Sequence, residues 1–282
     1  MPISANIILD SVSPGNIRLI TFELKYPRFI HAEFMTHRVF SRNASSSRAI
    51  PVNTMLERIR SEPAMPVHWG QNQAGMQAEN EIADPELAKQ LWLEAAQQAC
   101  DMAKKMLSLN LHKQVVNRIT EPFAHIHVLV TATEWDNFFI LRDHKDAQPE
   151  IRELAIQMKK VMNASTPKLL QPGEWHLPFV KENEKTLDIE TQRKISTARC
   201  ARVSYLTHDG QTPSVEKDLQ LYDRLITSKP AHSSPTEHQA TPIDILSLPW
   251  YPGEKKQAKD TWSGNFRGWV QYRKLIEKNF QE

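Results

Sequence analysis

Residues 36–48, THRVFSRNASSSR, bring cations, hydroxyl groups and an amide together within little more than a dozen positions. Arginine side chains bind phosphate oxygens through paired hydrogen bonds, and serine hydroxyls and backbone N–H groups in a turn add neutral donors. The stretch contains no carboxylate that would repel an anion. Its composition favours a phosphate site. The alternative is a solvated, basic, serine-rich loop, because such loops are common and need no ligand.

The elements that would position this stretch come directly before it. Residues 18–24 place Ile20, Phe22 and Leu24 at alternate positions, which is the period of a half-buried strand. Residues 29–35 then predict a short helical segment. The serine-rich stretch is therefore expected to follow a strand and one or two helical turns.

Further elements are predicted downstream. Residues 51–84 are rich in Pro, Gly, Gln and Asn and lack periodicity, which predicts a long surface excursion that could cover a ligand. Asp84 followed by Pro85 predicts a helix start, since aspartate caps helices and proline suits the first turn. Residues 128–133 predict a strand, and Pro149 begins another helix. The apolar face predicted for the helix after Asp84 consists of Leu87, Leu91, Ala95, Ala99, Met102 and Met106.

Composition limits the classes of function. The chain has 282 residues, 40% of them apolar, and its 35 basic and 33 acidic side chains give a formal net charge of +2. This balance argues against nucleic-acid binding and favours a local anion site for a small nucleotide. Two cysteines are too few for a disulfide framework and suggest a reducing compartment. The first residues lack a targeting pattern and no apolar run approaches membrane-spanning length, so we expect a cytoplasmic protein without a membrane partner.

The stretch of residues 36–48 resembles the signature R-H-R-x-x-S-x-N-E-x-S-x-R of flavin-dependent thymidylate synthases. Thr36 and Ala44 depart from it, replacing an arginine and a glutamate, and Glu33 stands where the family commonly has glutamine. These departures border the implied nucleotide and flavin, so they bear on which pyrimidine is used. The matching residues are His37, Arg38, Ser41, Asn43, Ser46 and Arg48.

Two further patches carry the resemblance. Asn117-Arg118 and residues 137–142 and 147–152 are similar to the family's later block. Residues 198–205 and 232–238 are similar to its A-R-V-S-[FY] and H-x-x-P-x-E-H elements. In the family these last two elements precede the Arg-His-Arg signature, whereas here they follow it.

This order resembles a circular permutation of one domain that covers residues 1–282. Permutation is tolerated where the chain termini lie close together. It predicts that His238 and Ile17 are spatial neighbours, because the family's H-x-x-P-x-E-H element leads directly into the strand that precedes the signature. Within the domain, residues 17–158 match the family's later part, 195–242 match its opening part, 159–194 form the new connection and 243–282 are an extra C-terminal segment.

The resemblance implies an α+β fold, mainly an antiparallel sheet with packed helices, and a homotetramer that shares its sites between subunits. It implies reductive methylation of dUMP to dTMP with FAD, NADPH and methylenetetrahydrofolate, in which the cofactors carry the hard chemistry. The family uses no cysteine nucleophile. Neither Cys100 nor Cys200 has a recognisable neighbouring base, which agrees with that mechanism.

The resemblance also implies individual roles. Arg142 would hold the pyrimidine and stabilise charge that develops on it, which is the catalytic role. Taken alone, Arg142 is better explained by a surface ion pair with Asp143 or Asp146 at the end of a helix. The substrate's phosphate would contact Ser46, Ser47, Arg48 and Arg118. The residues implied at the flavin are His37, Arg38, Asn43, Asn137, Ser204, His232 and Glu237.

Other functions stay open at the level of sequence. The departures from the signature leave room for a flavin- and folate-dependent hydroxymethylase or methylase of dUMP or dCMP, or for compensation by Arg42, Arg199 or Arg267. A flavin- or nucleotide-binding protein without turnover would keep the same ligand contacts. A zinc site on His125 and His127 lacks a third ligand at a plausible spacing, which favours ordinary strand histidines and no metal.

Overall fold

The computed structural model describes residues 3–204, 214–244, 257 and 260–277. Its main sheet has five strands in the order β3-β4-β2-β1-β5, with all neighbours antiparallel except β1 and β5. The expected α+β fold with a mainly antiparallel sheet is confirmed. The strands of this sheet are β1 (Ser4–Val12), β2 (Arg18–Pro27), β3 (Ser41–Ala44), β4 (His125–Ala132) and β5 (Lys168–Leu169).

Smaller strands and the helices surround this sheet. Strands β6 (Ala240–Pro242) and β9 (Trp269–Gln271) form one antiparallel pair, and β7 (Trp262–Ser263) and β8 (Phe266–Arg267) form another. Short 3₁₀ turns cover Arg28–Ile30, Asn117–Phe123, Glu182–Glu184 and Ser234–Glu237. The described helices are α1 (His31–Met35), α2 (Val52–Ser61), α3 (Pro85–Ser108), α4 (Lys113–Val116), α5 (Asp136–Arg142), α6 (Pro149–Ala164), α7 (Ile189–Ser204), α8 (Val215–Thr227) and α9 (Tyr272–Ile276).

Strand β2 is covered on both faces, whereas its alternating pattern predicted a half-buried strand. One face carries Phe22 and Leu24, which pack with the buried side of α6 in the largest hydrophobic cluster. The other face carries Thr21, which is also fully buried. Helix α7 covers this side, because Cys200 and Val203 pack against Leu129 of β4. The polar position Thr21 therefore faces a second buried layer, whereas Glu23 and Lys25 further along the strand are half-buried.

Helix α3 begins as predicted but buries a different face. The Asp84 side chain accepts a hydrogen bond from the Leu87 backbone N–H at 3.0 Å, which confirms the predicted cap. The buried positions are the small residues Ala96, Cys100 and Ala103, which pack with α2 and the turn Asn117–Phe123. Small side chains let α3 approach α2 closely. The face of α3 that was predicted to be buried is therefore not the one that packs, and this prediction is wrong. Its large members Leu87, Leu91 and Met102 are 52%, 57% and 51% exposed.

Residues 51–84 are only partly an excursion. Their first part is helix α2, which buries Met55, Leu56 and Ile59 against α3. A loop follows, and the indole N–H of Trp92 on α3 donates to the Ala64 carbonyl oxygen at 2.8 Å, so the loop is fastened to the helical layer. The prediction of a structureless surface segment was wrong for α2, whose apolar spacing is masked by neighbouring prolines.

The segment after α8 returns to the main sheet. Ala240 of β6 packs in one buried cluster with Ile17 and Trp269. The Trp269 indole N–H also donates to the Ile17 carbonyl oxygen at 3.1 Å. Ala240, two residues after His238, therefore belongs to the same buried cluster as Ile17, the residue that precedes β2. Trp269 lies in β9, and helix α9 follows directly at Tyr272–Ile276.

Candidate active site

Arg142, at the end of α5, reaches the signature stretch. Its Nε donates to Nε2 of His37 at 3.0 Å, and its Nη2 donates to Oγ1 of Thr36 at 3.1 Å. Asp143 instead pairs with Lys159 at 2.8 Å. The surface ion pair considered for Arg142 is therefore replaced by contacts with two consecutive residues of the signature.

The environment of His37 keeps its ring neutral. The ring packs edge-on against Phe138 at 4.9 Å between centroids and is close to Phe40. Burial, reinforced by the positive charges of Arg142 and Arg42, lowers the pKa of His37 to about 4. Because Nε2 accepts from Arg142, the proton of the neutral ring lies on Nδ1. His37 therefore orients the Arg142 guanidinium without neutralising its charge.

A cleft of about 370 Å³ lies beside this contact. Arg38 and Asn137 are exposed at its edge, while Phe40 and Phe138 are buried in its wall. An aromatic wall with a few polar groups is the kind of surface that binds a planar ring ligand. The cleft is lined by Thr36, His37, Arg38, Val39, Phe40, Glu134, Asn137, Phe138, Leu141 and Trp262.

The arginines considered as replacements for the missing signature cation have other partners. Arg42 donates through Nη1 to the carbonyl oxygens of Met35 and His37 at 3.1 and 3.0 Å, so it fixes the turn that carries His37. Arg199 of α7 forms buried ion pairs with two carboxylates, one of which lies on α8. Arg267 pairs with Glu134 at 2.6 Å, at the rim of the cleft. Each of these cations therefore supports the protein's own structure.

A second polar cluster lies beyond the other end of β3. The Ser47 hydroxyl donates to Oε1 of Glu121 at 2.5 Å, and Nη1 of Arg118 donates to the same oxygen at 3.0 Å. Nη2 of Arg28 lies 3.2 Å from it. The turn that contains Ser47 is anchored by Asn117, whose Nδ2 donates to the Ser47 carbonyl oxygen at 2.7 Å. Ser46 is half-buried and Arg48 is exposed in the same turn.

Sequence reasoning missed two members of this cluster, Arg28 and Glu121. Arg28 directly follows β2, and Glu121 lies three residues after Arg118 on one turn of 3₁₀ helix. The spacing of Arg118 and Glu121 could have indicated that their side chains meet. The signature stretch itself is free of carboxylates, but the folded cluster brings one to its centre.

The structure thus separates the implied site residues into two groups. His37 and Arg142 meet before β3 begins, whereas Ser47 and Arg118 meet after it ends. The four residues of β3 span about 10 Å at the rise of an extended strand. The two groups therefore lie beyond opposite ends of β3.

The remaining implied flavin residues lie elsewhere. Asn43 is buried in β3, and its Oδ1 lies 3.4 Å from Nε2 of His238. Glu237 is paired with Arg273 of α9. His232 is exposed in the loop after α8. The side chain of Ser204 lies outside the described residues. The described lining of the 370 Å³ cleft includes none of these three placed side chains.

A buried chain of hydrogen bonds starts at Asn43 and crosses the face of the sheet under α7. Apart from the contact between Asn43 and His238, each hydrogen bond in it is 2.7 or 2.8 Å long. An amide oxygen only accepts, so His238 donates through Nε2 and its Nδ1 accepts from the next hydroxyl. The same reasoning applies to each later bond, so every residue in this chain of hydrogen bonds donates to the one before it, toward Asn43. In order, the chain is Asn43, His238, Thr131, Thr21, His176 and Ser11.

Thr131→Val should therefore destabilise the protein although valine has nearly the same shape. Thr131 is fully buried, and its loss leaves Nδ1 of His238 without a donor and the Thr21 hydroxyl without an acceptor. We expect the free energy of unfolding to fall by about 1–3 kcal/mol, the usual cost of unsatisfied buried groups. Urea denaturation would measure it, with exposed Thr227→Val as control. An equal effect of the two changes would contradict the importance of the chain.

Neither cysteine is set up as a nucleophile. Cys200 is fully buried on α7 and accepts a hydrogen bond from Nε2 of Gln239 at 3.4 Å. Burial raises the pKa of both the Cys100 and the Cys200 thiols. A thiol whose pKa is raised forms little of the reactive thiolate at neutral pH.

The strand histidines considered for zinc are half-buried. Burial lowers the pKa of His125 to about 4 and also lowers that of His127. Among the described residues, no group of three His, Cys, Asp or Glu side chains is arranged to hold a metal ion. None of the described helices is both long enough and apolar enough to cross a membrane.

The family model described as thymidylate synthase complementing protein matches residues 9–168. The chain belongs to this family, whose members are flavin-dependent thymidylate synthases. The match includes both ends of β3, Arg118, α5 and α6. The elements at 198–205 and 232–238 lie beyond the matched range.

Solved structures of a UMP/dUMP methylase, PolB from Streptomyces cacaoi, are similar to part of the chain. The complex with 5-Br dUMP has 15% sequence identity and a TM-score of 0.49, and covers 57% of this chain and 90% of its own. The complex with 5-Br UMP has 16% identity and the same TM-score, with 57% and 89% covered. No curated protein sequence matches this chain.

Proposed function

We propose that the protein methylates dUMP to dTMP reductively, with FAD, NADPH and methylenetetrahydrofolate as cofactors. The observation that carries the proposal is the contact between Arg142 and His37, beside an aromatic cleft and one short strand away from a cluster of phosphate-type donors. In a member of this family, that arrangement offers one subsite for a planar base and one for an anion.

The nucleotide would lie along β3. Ser46, Ser47, Arg48 and Arg118 would bind its phosphate, since exposed arginines and a turn of hydroxyls suit phosphate oxygens. Arg142 would bind the pyrimidine. Its guanidinium is held in place by His37 and Thr36, so it could stabilise negative charge on a pyrimidine carbonyl without having to reorganise.

The residues around the cleft fit a flavin. The half-exposed ring of Trp262 offers an apolar face, Phe40 and Phe138 support the wall behind it, and Arg38 and Asn137 offer hydrogen-bond donors at the edge. Bound there, the flavin would supply the hydride and the relay of the one-carbon unit that the family's chemistry needs. The protein's own part is to hold the pyrimidine, polarise it and exclude water. Asn43, Ser204, His232 and Glu237 would act at the flavin only where sites are completed by neighbouring subunits.

The second candidate is a flavin- and folate-dependent hydroxymethylase or methylase of dUMP or dCMP. The contact between Arg142 and the Thr36 hydroxyl favours keeping it, because the family signature has an arginine at this position. A neutral hydroxyl in place of a cation changes the charge offered to the base. Mass spectrometry of the nucleotide product distinguishes the candidates.

The proposal extends to assembly and chain order. The exposed apolar side of α3 supports a homotetramer, because large apolar side chains on one helix face gain from being covered by another subunit. The packing of Ala240 with Ile17 supports a single, circularly permuted domain, since it brings the end of the 195–242 segment to the start of the 17–158 segment. A cytoplasmic location stays a prediction.

Tritium release from C5-labelled dUMP, measured anaerobically with FAD, NADPH and methylenetetrahydrofolate, tests the reaction and the substrate together. We expect release that depends on all three cofactors, because substitution at C5 expels its hydrogen. Omitting methylenetetrahydrofolate is the control. Protein that retains flavin but releases no tritium would rule out dUMP as the substrate and direct the assay to dCMP.

A further inference from the structure

Glu121 holds the position in the anion cluster where a phosphate oxygen would be expected. Its Oε1 accepts from the Ser47 hydroxyl at 2.5 Å and from Arg118 at 3.0 Å, and lies 3.2 Å from Nη2 of Arg28. One hydroxyl and two guanidinium groups thus converge on a single carboxylate oxygen. The same three donor groups could bind one oxygen of a phosphate monoester.

The cluster is rigid on one side and open on the other. Ser47 is 2% exposed, and its carbonyl oxygen accepts a hydrogen bond from Asn117, so its backbone is held at the cluster. The Arg118 side chain is 53% exposed, whereas that of Glu121 is 21% exposed. An anion that approaches Ser47 from the side of Arg118 therefore meets the Glu121 carboxylate first.

The charges make the two occupants mutually exclusive. A carboxylate and a phosphate repel each other strongly in a partly buried site, where water screens their charges less than it does at the surface. Both need Ser47 and Arg118 as donors. The phosphate would thus gain these contacts only by releasing Glu121 from them.

We propose that Glu121 is a specificity-determining residue that competes within the protein for the anion subsite. A doubly charged phosphate monoester can displace the singly charged carboxylate, whereas an uncharged nucleoside gains nothing at this subsite. The proposal rests on the proposed function for the identity of the ligand, but the competition itself requires only an anion. It assigns a role to a residue that lies outside the family signature.

The opposite role makes the opposite prediction. If Glu121 served to orient Arg28 and Arg118 for the ligand, its removal would scatter two cations and weaken phosphate binding. If it competes, its removal frees Ser47 and both arginines and strengthens phosphate binding. The sign of the change in affinity therefore separates the two roles.

The test measures dissociation constants by titration calorimetry for wild type, Glu121→Gln and Glu121→Ala. The probes are inorganic phosphate, dUMP and deoxyuridine, which carries the same base and sugar without the phosphate. Glu86→Gln on α3 is the matched control, because it removes one exposed, paired carboxylate at a distance from the cluster. Thermal unfolding and circular dichroism of each variant exclude a loss of folding.

We expect both Glu121 variants to bind inorganic phosphate and dUMP at least about tenfold more tightly than wild type, as removal of a competing charge-assisted partner predicts. Deoxyuridine affinity and the Glu86→Gln variant should be unchanged. Unchanged or weaker phosphate binding in the folded Glu121 variants would overturn the inference. If phosphate binds more tightly but no variant binds dUMP, the inference stands and the proposed nucleotide substrate is wrong.

Discussion

Arg142→Ala should lower kcat for substitution at C5 of dUMP by about 10²–10³-fold, the range found when one preorganised donor to a developing charge is removed. Arg142 is fixed by His37 and Thr36, so its positive charge is already in place when charge develops on the pyrimidine. We expect KM to change less than kcat, because the phosphate contacts at the other end of β3 remain.

Two further variants show whether this effect comes from the charge or from its placement. Arg142→Lys keeps a cation but loses the planar group that contacts both partners, so its kcat should lie between those of wild type and alanine. Arg152→Ala removes an exposed arginine from α6 and serves as the control. Flavin absorbance of each purified variant shows whether cofactor is retained. A raised KM with unchanged kcat would reduce Arg142 to a binding residue.

Acidification should destabilise the protein through two buried histidines. Burial lowers the pKa of His176 and of His238 to about 3, against about 6.5 for an unfolded histidine. Between these values the unfolded chain binds protons that the folded chain does not. The stabilising contribution is therefore complete above pH 6.5 and is lost as the pH falls toward 3. Together the two rings should lower the free energy of unfolding by up to about 2.7 kcal/mol per pH unit in this window.

Carboxylates contribute to acid unfolding as well, so the histidine effect needs a difference measurement. Hydrogen bonds from Arg199 lower the pKa of Glu184, for example, and that stabilisation is also lost at low pH. Urea denaturation at several pH values between 4 and 7 should show a slope in His238→Gln that is smaller than that of wild type by up to about 1.4 kcal/mol per pH unit, because one buried ring is removed. Exposed His144→Gln should keep the wild-type slope. The same slope in all three proteins would show that the buried rings do not control acid stability.

Local sequence patterns predicted where a helix begins when a single strong signal, such as a capping residue or a proline, marked its start. The aspartate cap and proline before α3 fixed its start, and Pro149 marked the start of α6. The face of α3 was wrong because burial follows the packing partner, and small residues allow the closest approach to α2. Helix α2 was missed because its flanking residues are those of loops. Resemblance to a family supplied what local patterns lacked, including the candidate role of Arg142.

In the candidate site, too, sequence predicted the residues that are close together in the chain but not their distant partners. The signature residues are contiguous, so their presence could be predicted from sequence. Their partners are not contiguous, and nothing in the order of the chain indicates that Glu121 meets Ser47 or that Trp262 lines the cleft with His37. Such contacts depend on how separate segments cross, which a periodic pattern does not encode.

The buried chain of hydrogen bonds also affects how the protein is made. Ser11 and His176 are 165 positions apart, Thr131 and His238 are 107 apart, and Asn43 and His238 are 195 apart. Contacts between such distant positions form late and slow the folding of a chain. During synthesis, β2 and β4 emerge before α7 and His238, so this face of the sheet stays uncovered until those later segments follow. The nascent protein is therefore most exposed to misassociation in that interval.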